Sequence, residues 1–142
     1  MARILSIDYG KKRTGLAVTD PLQLIAGGLA TVASKSLPEF LKTYMQQEKV
    51  ERIIMGEPRQ IDGSPSENYA RVQEVLKKLR AAFPDIPIET YDERFTSVLA
   101  HQAMLTGGLK KKERQNKALV DEISATILLQ SYMEAMRNKR NR

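Results

Sequence analysis

Two apolar runs joined by a basic turn, within residues 3–20, constrain the fold more than any other stretch of the chain. The first run is RILSID at residues 3–8, and the second is GLAVT at residues 15–19. Their pattern predicts a β-hairpin whose first strand ends in an acid. Asp8 would then lie where a strand leaves a hydrophobic core and meets water. Gly10 follows it closely and would let a ligand or another backbone segment approach.

The turn of this hairpin carries three cations, Lys11, Lys12 and Arg13. A carboxylate beside a glycine and a cluster of cations indicates a metal ion that faces phosphate groups. The alternative is that Asp8 only starts the turn, as aspartate often does. The hairpin alone does not separate these two interpretations, because short motifs match by chance.

Length and composition limit the classes of protein to consider. A chain of 142 residues suits one domain over residues 1–142, and 42% hydrophobic with 28% charged residues argues against disorder. There is no cysteine, which excludes disulfides, zinc-thiolate sites and cysteine nucleophiles. No apolar run approaches the roughly 18 residues that span a bilayer, and no signal peptide is visible. We therefore expect a cytoplasmic protein that does not enter a membrane.

Positive charge is concentrated in the last quarter of the chain. The net charge is +6, and residues 109–142 contain nine Lys or Arg against four Asp or Glu, a net +5. A glycine-containing segment at residues 106–117 is predicted to be a basic loop, and four of its cations are candidates to contact nucleic acid: Lys110, Lys111, Lys112 and Arg114. A solubilising basic tail, here about residues 137–142, is the commoner meaning of such a C-terminus.

The rest of the chain alternates between strand and helix patterns. A third strand is predicted at residues 24–32, with a bulge or bend at its two glycines, followed by a helix capped by Ser36. Further elements are predicted as a strand at 50–55, a helix capped by Ser64 or Ser66, a strand at 86–91, a helix through about Leu105, and a last helix at about 118–137. This order predicts an α/β fold that begins with an antiparallel meander and continues with parallel strands.

Two further acids have positions that suggest a role. Glu93 follows the end of the last predicted strand. Asp121 lies on the apolar side of the last helix, where residues 120, 123, 125, 127 and 128 crowd together at about 100° per residue. A carboxylate on a packed face needs a partner, because burying an unpaired charge is costly. Either a metal ion or an Arg or Lys side chain would serve, and the angle leaves both open.

Strand ends in open α/β sheets form binding sites, so Asp8, Glu93 and Asp121 could converge. Three neighbouring carboxylates repel one another unless a cation lies between them. Carboxylate ligands select hard cations such as Mg²⁺ or Mn²⁺. Two such ions about 3.5 to 4 Å apart would clamp the attacking and leaving oxygens of an in-line phosphodiester hydrolysis.

Four motifs in order resemble those of the YqgF/RuvX family, over essentially the whole chain: DYGKKRTGLAVTD, GEPRQIDGS, DERFTS and KALVDEISATILLQSYME. Members of this family are associated with Holliday-junction resolution and with maturation of the 5′ end of pre-16S ribosomal RNA. The resemblance implies an RNase H-like fold, with a five-stranded mixed sheet whose first three strands are antiparallel and which is flanked by helices. It also implies that Asp8, Glu93 and Asp121 are the catalytic acids and the metal ligands.

Three further cations are candidates to hold phosphate oxygens: Lys11, Arg13 and Arg94. Ordinary surface charge is the other interpretation of these three side chains. The family commonly reads Gly-Leu-Pro after the fourth strand, whereas this chain has Glu57 at the middle position. Glu57 could be a fourth metal contact, a change that tunes the substrate, or only a surface difference, and we favour the last.

The sequence thus predicts a metal-dependent endonuclease, of the two-metal-ion type, that acts on structured nucleic acid. Pre-ribosomal RNA, also within ribosomal precursor particles, is favoured over branched DNA such as a four-way junction. A resolvase that cuts two strands symmetrically would need a dimer, and no dimer helix is evident, so we expect a monomer or a weak homodimer. Two other classes remain: an actin-like or sugar-kinase ATPase fragment, and a nucleic-acid-binding assembly factor without catalysis.

Overall fold

The computed structural model describes residues 2–57, 68–92 and 117–140. Five strands and three α-helices lie in these ranges, with one short 3₁₀ helix at Ser34–Ser36. The strands are β1 (Arg3–Tyr9), β2 (Arg13–Thr19), β3 (Ala26–Ala33), β4 (Val50–Glu57) and β5 (Ile88–Asp92). The α-helices are α1 (Leu37–Gln47), α2 (Tyr69–Ala82) and α3 (Lys117–Arg140). The helix predicted through about Leu105 and the basic loop that follows it lie outside the described residues.

The strands form one mixed sheet in the order β3-β2-β1-β4-β5. β1 pairs antiparallel with β2, and β2 pairs antiparallel with β3, as the hairpin pattern predicted. β4 lies parallel to β1, and β5 lies parallel to β4, because a helix connects each to the preceding strand. The predicted five-stranded mixed sheet is therefore confirmed.

The irregularity predicted in β3 is present. Leu16 pairs with Ala30, but Ala17 pairs with Gly28, so Leu29 of β3 has no partner in the register with β2. Such a bulge bends an edge strand and increases its twist. The predicted bend next to the glycine pair is thus confirmed.

One of the two predicted helix caps is at its predicted position and the other is not. Ser36 is the N-cap residue of α1, as predicted, but its side chain makes no capping hydrogen bond, because its own backbone is already helical and the 3₁₀ turn leads directly into the helix. α2 begins after Asn68, not after Ser64 or Ser66, which lie outside the described residues. The Asn68 side chain does not cap the helix either; its Nδ2 donates to the carbonyl oxygen of Tyr9 at 2.6 Å.

The two faces of the sheet are covered by different helices. α1 and α2 pack on one face around twelve buried residues: Leu5, Ile7, Leu16, Leu37, Leu41, Val50, Ile53, Met55, Val72, Leu76, Leu79 and Ile88. α3 packs on the other face in a smaller cluster: Ile4, Ala17, Ala26, Ile54, Ala125, Leu129, Tyr132 and Met133. Since side chains alternate along a strand, the central strands contribute to both clusters.

The buried face of α3 overlaps only in part with the predicted one: Ala125 and Leu128 are buried as predicted. Its buried residues are Ala125, Leu128, Leu129, Tyr132 and Met133, whereas Ile123 and Ile127 are only partly buried. Apolar residues surround much of this helix, so periodicity did not choose among the possible faces. The helix also continues to Arg140, three residues beyond the predicted end.

Close approach to two glycines explains which face of α3 is chosen. A Cβ atom on Gly15 of β2 would overlap the backbone carbonyl of Asp121, and one on Gly28 of β3 would overlap the side chain of Glu122. The start of α3 therefore fits against the sheet only where position 15 lacks a side chain, whereas the flexible Glu122 side chain could turn away from position 28. Within the described residues, no helix has the length and apolar character needed to cross a bilayer.

We expect Gly15→Ala to lower the free energy of unfolding by about 1–3 kcal/mol, because the new methyl group must displace the backbone of α3. Gly27→Ala is the matched control, since a Cβ atom there meets no heavy atom within 4 Å. That control should leave stability unchanged or raise it by up to about 1 kcal/mol. Urea unfolding followed by circular dichroism measures both, and equal effects would contradict the close approach.

Candidate active site

Asp8 lies near the carboxyl end of β1, on the face of the sheet that α3 covers. The alternation along the strand establishes this, because Ser6, two residues earlier, donates its hydroxyl to the carbonyl oxygen of Ala125 in α3 at 2.7 Å. Asp8 is paired in register with Gly15 of β2. The first predicted acid therefore lies beside the glycine that α3 approaches most closely.

Asp121 reaches the same place from α3. Its backbone carbonyl lies directly over Gly15, the cross-strand neighbour of Asp8. The Ser6–Ala125 hydrogen bond is one helical turn further along α3, so it fixes the height of the helix relative to β1. Two of the three predicted acids, which are far apart in the sequence, are thus brought together.

The electrostatics of Asp8 reflect this environment. Burial is the larger cause, and the negative charge of Asp121 the smaller one, of a rise in the pKa of the Asp8 carboxyl from 3.8 to about 6. A carboxyl group with this pKa loses its proton just below neutral pH. Its raised pKa reports both poor access to water and a second carboxylate within electrostatic reach.

Asp121 has a cationic partner within the chain. Arg13, the first residue of β2, approaches it with Nε 2.9 Å from Oδ2, and the two side chains are 40% and 26% exposed. Of the two partners left open by the sequence, the described residues thus supply the arginine. Asp121 is also less buried than its angular position predicted, because the packed stripe of α3 begins only at Ala125.

The turn between β1 and β2 holds Arg13 in place. The backbone N–H of Gly10 donates to the carbonyl oxygen of Arg13 at 3.0 Å, which closes a tight connection. Lys11 and Lys12 lie at the tip of this turn with exposed side chains. The structure therefore brings Arg13 to the carboxylates, whereas a role for Lys11 in binding nucleic acid stays a prediction.

The other predicted site residues lie outside the described residues: Glu93, Arg94, Lys110, Lys111, Lys112 and Arg114. Asp92 ends β5 immediately before Glu93, and it pairs in register with Glu57 at the end of β4. The carboxyl ends of β1, β4 and β5 all lie at the same edge of the sheet.

The described residues offer a partial set of metal ligands. Among residues 2–57, 68–92 and 117–140, no three His, Cys, Asp or Glu side chains are grouped so as to hold a metal ion. The two carboxylates at Gly15 nevertheless fit a hard divalent cation, because both are oxygen ligands and their mutual repulsion would be relieved by positive charge. Mg²⁺ and Mn²⁺ are cations of this type.

Three residues that support the site were missed from the sequence. Gly15 could have been noticed as a glycine inside a strand, which often marks a close backbone approach. Ser6 could have been noticed as the polar residue within an apolar strand. Asn68, whose amide binds the carbonyl oxygen of Tyr9 beside Asp8, gave no signal that distinguishes it from a surface residue.

Comparison with known proteins identifies the family. The model of the RuvX family, described as Holliday junction resolvase, matches residues 2–135. The chain belongs to the RuvX family. A relative from Phocaeicola vulgatus, named "Putative pre-16S rRNA nuclease", is 64% identical over 135 residues, which are 95% of this chain and 97% of that protein. A relative of the same name from Bacteroides fragilis is 58% identical and covers 96% of this chain and 99% of its own.

Solved structures agree with the fold. The RuvC protein of Thermus thermophilus, in complex with a Holliday junction substrate, matches with a TM-score of 0.59 at 17% identity, covering 96% of both chains. A second structure of Thermus thermophilus RuvC matches with a TM-score of 0.56 at 15% identity and the same coverage. The RNase H-like fold implied by the motif resemblance is thus confirmed. The family match and the relatives also agree with the nuclease predicted from the sequence.

The raised pKa of Asp8 predicts how stability depends on pH in the presence of a chelator. Between about pH 4 and 6 the folded protein keeps a proton on Asp8 that the unfolded chain has lost, so this group lowers stability as pH rises through that interval. Asp8→Asn removes the effect. The variant should be more stable than the wild type at pH 7.5, by up to about 3 kcal/mol, and equal to it near pH 4.

Thermal and urea unfolding of both proteins at a series of pH values measures this difference. Glu134→Gln serves as the control, because Glu134 is an exposed carboxylate on the same helix as Asp121. If Asp8→Asn is less stable than the wild type at pH 7.5, burial does not destabilise the charged form of Asp8.

Proposed function

We propose that this chain is a metal-dependent nuclease that hydrolyses phosphodiester bonds at the site formed by Asp8, Asp121 and Glu93. One observation carries the proposal: Asp8 and Asp121, from the first strand and the last helix, meet over Gly15 closely enough for the charge of one to raise the pKa of the other. A like-charged pair at a sheet edge is costly for folding, so a functional reason for it is expected.

The cation proposed for this site is Mg²⁺ or Mn²⁺. When bound, such a cation stabilises the negative charge that develops on the phosphate oxygens during hydrolysis. Asp8 would be a rigid ligand, since it belongs to a strand paired on both sides. Asp121 would be positioned by the packing of α3 and by the Ser6–Ala125 hydrogen bond. The protein thus supplies preorganised carboxylate oxygens, which is the main requirement for a hard cation.

Glu93 is proposed as the third ligand. Glu89 and Tyr91 in β5 both face α3: Tyr132 of α3 donates its hydroxyl to the Glu89 carboxylate at 3.2 Å, and its ring packs edge-on against Tyr91. Position 93 follows Asp92, the last residue of β5, in the sequence. The carboxyl ends of β1 and β5 lie at the same edge of the sheet, which supports the proposal.

The proposed substrate is structured nucleic acid, most specifically the 5′ end of pre-16S ribosomal RNA in free form or within ribosomal precursor particles. Relatives that share 64% and 58% of their residues with nearly the whole chain carry the name of a pre-16S rRNA nuclease, which supports this choice. The description of the family as Holliday junction resolvase supports a four-way DNA junction as the alternative. Action in the cytoplasm, by a monomer or a weak homodimer, is part of the same proposal.

A cleavage assay with two labelled substrates tests the function. A fragment containing the 5′ end of pre-16S ribosomal RNA and a mobile four-way DNA junction are each incubated with Mg²⁺, with Mn²⁺ and with chelator. We expect the wild type to cleave the RNA only when metal is present. The cleavage rate should fall at least ~100-fold in Asp8→Asn and in Asp121→Asn, because each variant loses a charged metal ligand. Both variants should still bind the RNA. Glu93→Gln should behave in the same way.

Glu134→Gln is the matched control and should retain wild-type activity, since it removes an exposed carboxylate from the far half of α3. Symmetric cleavage of the junction would favour the resolvase. Full RNA cleavage by Asp8→Asn would contradict the proposed site, and tight binding of both substrates without cleavage would favour an assembly factor.

The basic segment beyond the described residues is predicted to contact the phosphate backbone. Replacing Lys110, Lys111 and Lys112 by glutamine should weaken binding of the RNA fragment and flatten its dependence on salt. The slope of log K against log salt should change by about 0.7 to 0.9 for each phosphate that a lysine no longer neutralises. Fluorescence anisotropy at several NaCl concentrations measures both effects. Unchanged affinity and slope would show that these lysines do not touch the substrate.

A further inference from the structure

Arg13 occupies an unusual position for a candidate phosphate-binding residue. Its Nε atom donates to Oδ2 of Asp121, one of the two carboxylates at Gly15, at 2.9 Å. Among the described residues, Asp121 is the only side chain to which the Arg13 guanidinium is bonded. The same arginine that could hold a phosphate is therefore engaged by a proposed metal ligand.

Geometry allows Arg13 to leave Asp121 without disturbing the fold. Its backbone is fixed, because its carbonyl oxygen accepts from Gly10 and it pairs in register with Ala33 of β3. Its side chain, by contrast, is 40% exposed, so the guanidinium can turn toward solvent by rotation about side-chain bonds alone. The ion pair itself contributes little to stability, because partly exposed pairs are screened by water.

Arg13 and a divalent cation exclude each other as partners of Asp121, because both are positively charged. A guanidinium that holds the Asp121 carboxylate repels a divalent cation at the same carboxylate, and a bound cation repels the guanidinium in turn. A phosphate group nearby offers Arg13 an alternative partner of the same sign as Asp121. Guanidinium and phosphate groups match in shape, since two N–H groups can donate to two phosphate oxygens.

We propose that Arg13 is an exchangeable partner of Asp121: it holds this carboxylate in the metal-free protein and transfers to a substrate phosphate when a divalent cation takes its place. The inference rests on the proposed function, because it requires that Asp8 and Asp121 bind a cation. It adds that metal and nucleic acid bind with mutual support. The cation replaces Arg13 as the partner of Asp121, and the phosphate replaces Asp121 as the partner of Arg13. Neither charged side chain is then left unpaired.

Metal affinity gives the first test. Mn²⁺ binding is measured by isothermal titration calorimetry, without nucleic acid, for the wild type, Arg13→Gln, Lys11→Gln and Asp8→Asn. We expect Arg13→Gln to bind Mn²⁺ about two- to fivefold more tightly than the wild type, the range set by a partly exposed ion pair. Lys11→Gln removes the same charge from the exposed tip of the same turn and should have a smaller effect.

A double-mutant cycle separates the ion pair from general charge. In an Asp121→Asn background, Arg13→Gln should no longer tighten Mn²⁺ binding relative to Lys11→Gln, because the carboxylate for which they compete is gone. A merely structural role of Arg13 predicts the opposite direction, weaker binding from a disordered site. If Arg13→Gln does not fold, as judged by circular dichroism, Arg13→Met replaces it with the same expected result, since methionine keeps an unbranched side chain and removes the charge.

RNA binding gives the second test. Ca²⁺, a hard cation that also prefers carboxylate oxygens, is used in place of Mg²⁺ to follow binding of the RNA fragment by anisotropy. The loss of RNA affinity caused by Arg13→Gln, relative to Lys11→Gln, should be larger with Ca²⁺ than with chelator. In chelator Arg13 stays paired with Asp121 and contributes little to binding RNA.

The outcomes distinguish the inference from the function on which it rests. If the wild type binds no Mn²⁺, or if Asp8→Asn binds it as tightly as the wild type, the proposed metal site is wrong. If Asp8→Asn loses Mn²⁺ but Arg13→Gln binds no more tightly than Lys11→Gln, the site stands and the exchange is overturned. Equal losses of RNA affinity with Ca²⁺ and with chelator would overturn the transfer to phosphate.

Discussion

The contact of α3 with Gly15 is the constraint on which the rest of the site depends. A helix normally stands off a sheet by the length of the side chains between them, but here the carbonyl of Asp121 lies where a Cβ atom of residue 15 would be. This approach lowers the start of α3 to the level of Asp8, the cross-strand neighbour of Gly15. With any larger residue at position 15, the two carboxylates would be held apart.

The rest of α3 is anchored so that this approach is maintained. Near its start, Thr31 of β3 donates its hydroxyl to the carbonyl oxygen of Ala118 at 2.6 Å. Toward its other end, Arg52 of β4 donates to the hydroxyl of Tyr132 at 2.6 Å, and that hydroxyl in turn donates to Glu89 of β5. The helix is therefore tied to β3, β4 and β5, and the Ser6 hydrogen bond to β1 lies between these points.

The hairpin, the parallel strands and the position of Asp8 were predictable because they follow from local patterns. Alternating apolar residues define β1 and β2, and an acid at the end of such a strand is visible without knowledge of the fold. The partner of Asp121 was not predictable, because Arg13 is separated from it by 108 residues and only the packing of α3 brings them together. The buried face of α3 was predicted only in part, at Ala125 and Leu128, for a related reason. Gly15, which the backbone of α3 approaches, lies on β2, so no property of the helix sequence alone distinguishes Ile123 from Leu129.

The arrangement of charge at the candidate site costs the folded protein stability. Asp8 and Asp121 oppose each other, and the single nearby cation that the described residues pair with them, Arg13, engages only Asp121. Asp8 is left in a poorly hydrated position where its charged form is disfavoured, which the apolar clusters on both faces of the sheet must offset. A second arginine beside Asp8 would stabilise its charged form, but it would also fill the space in which we propose that a cation and a phosphate bind. The residual negative charge suits the divalent cation that we propose for this site, and the partly exposed side chain of Arg13 suits the proposed exchange.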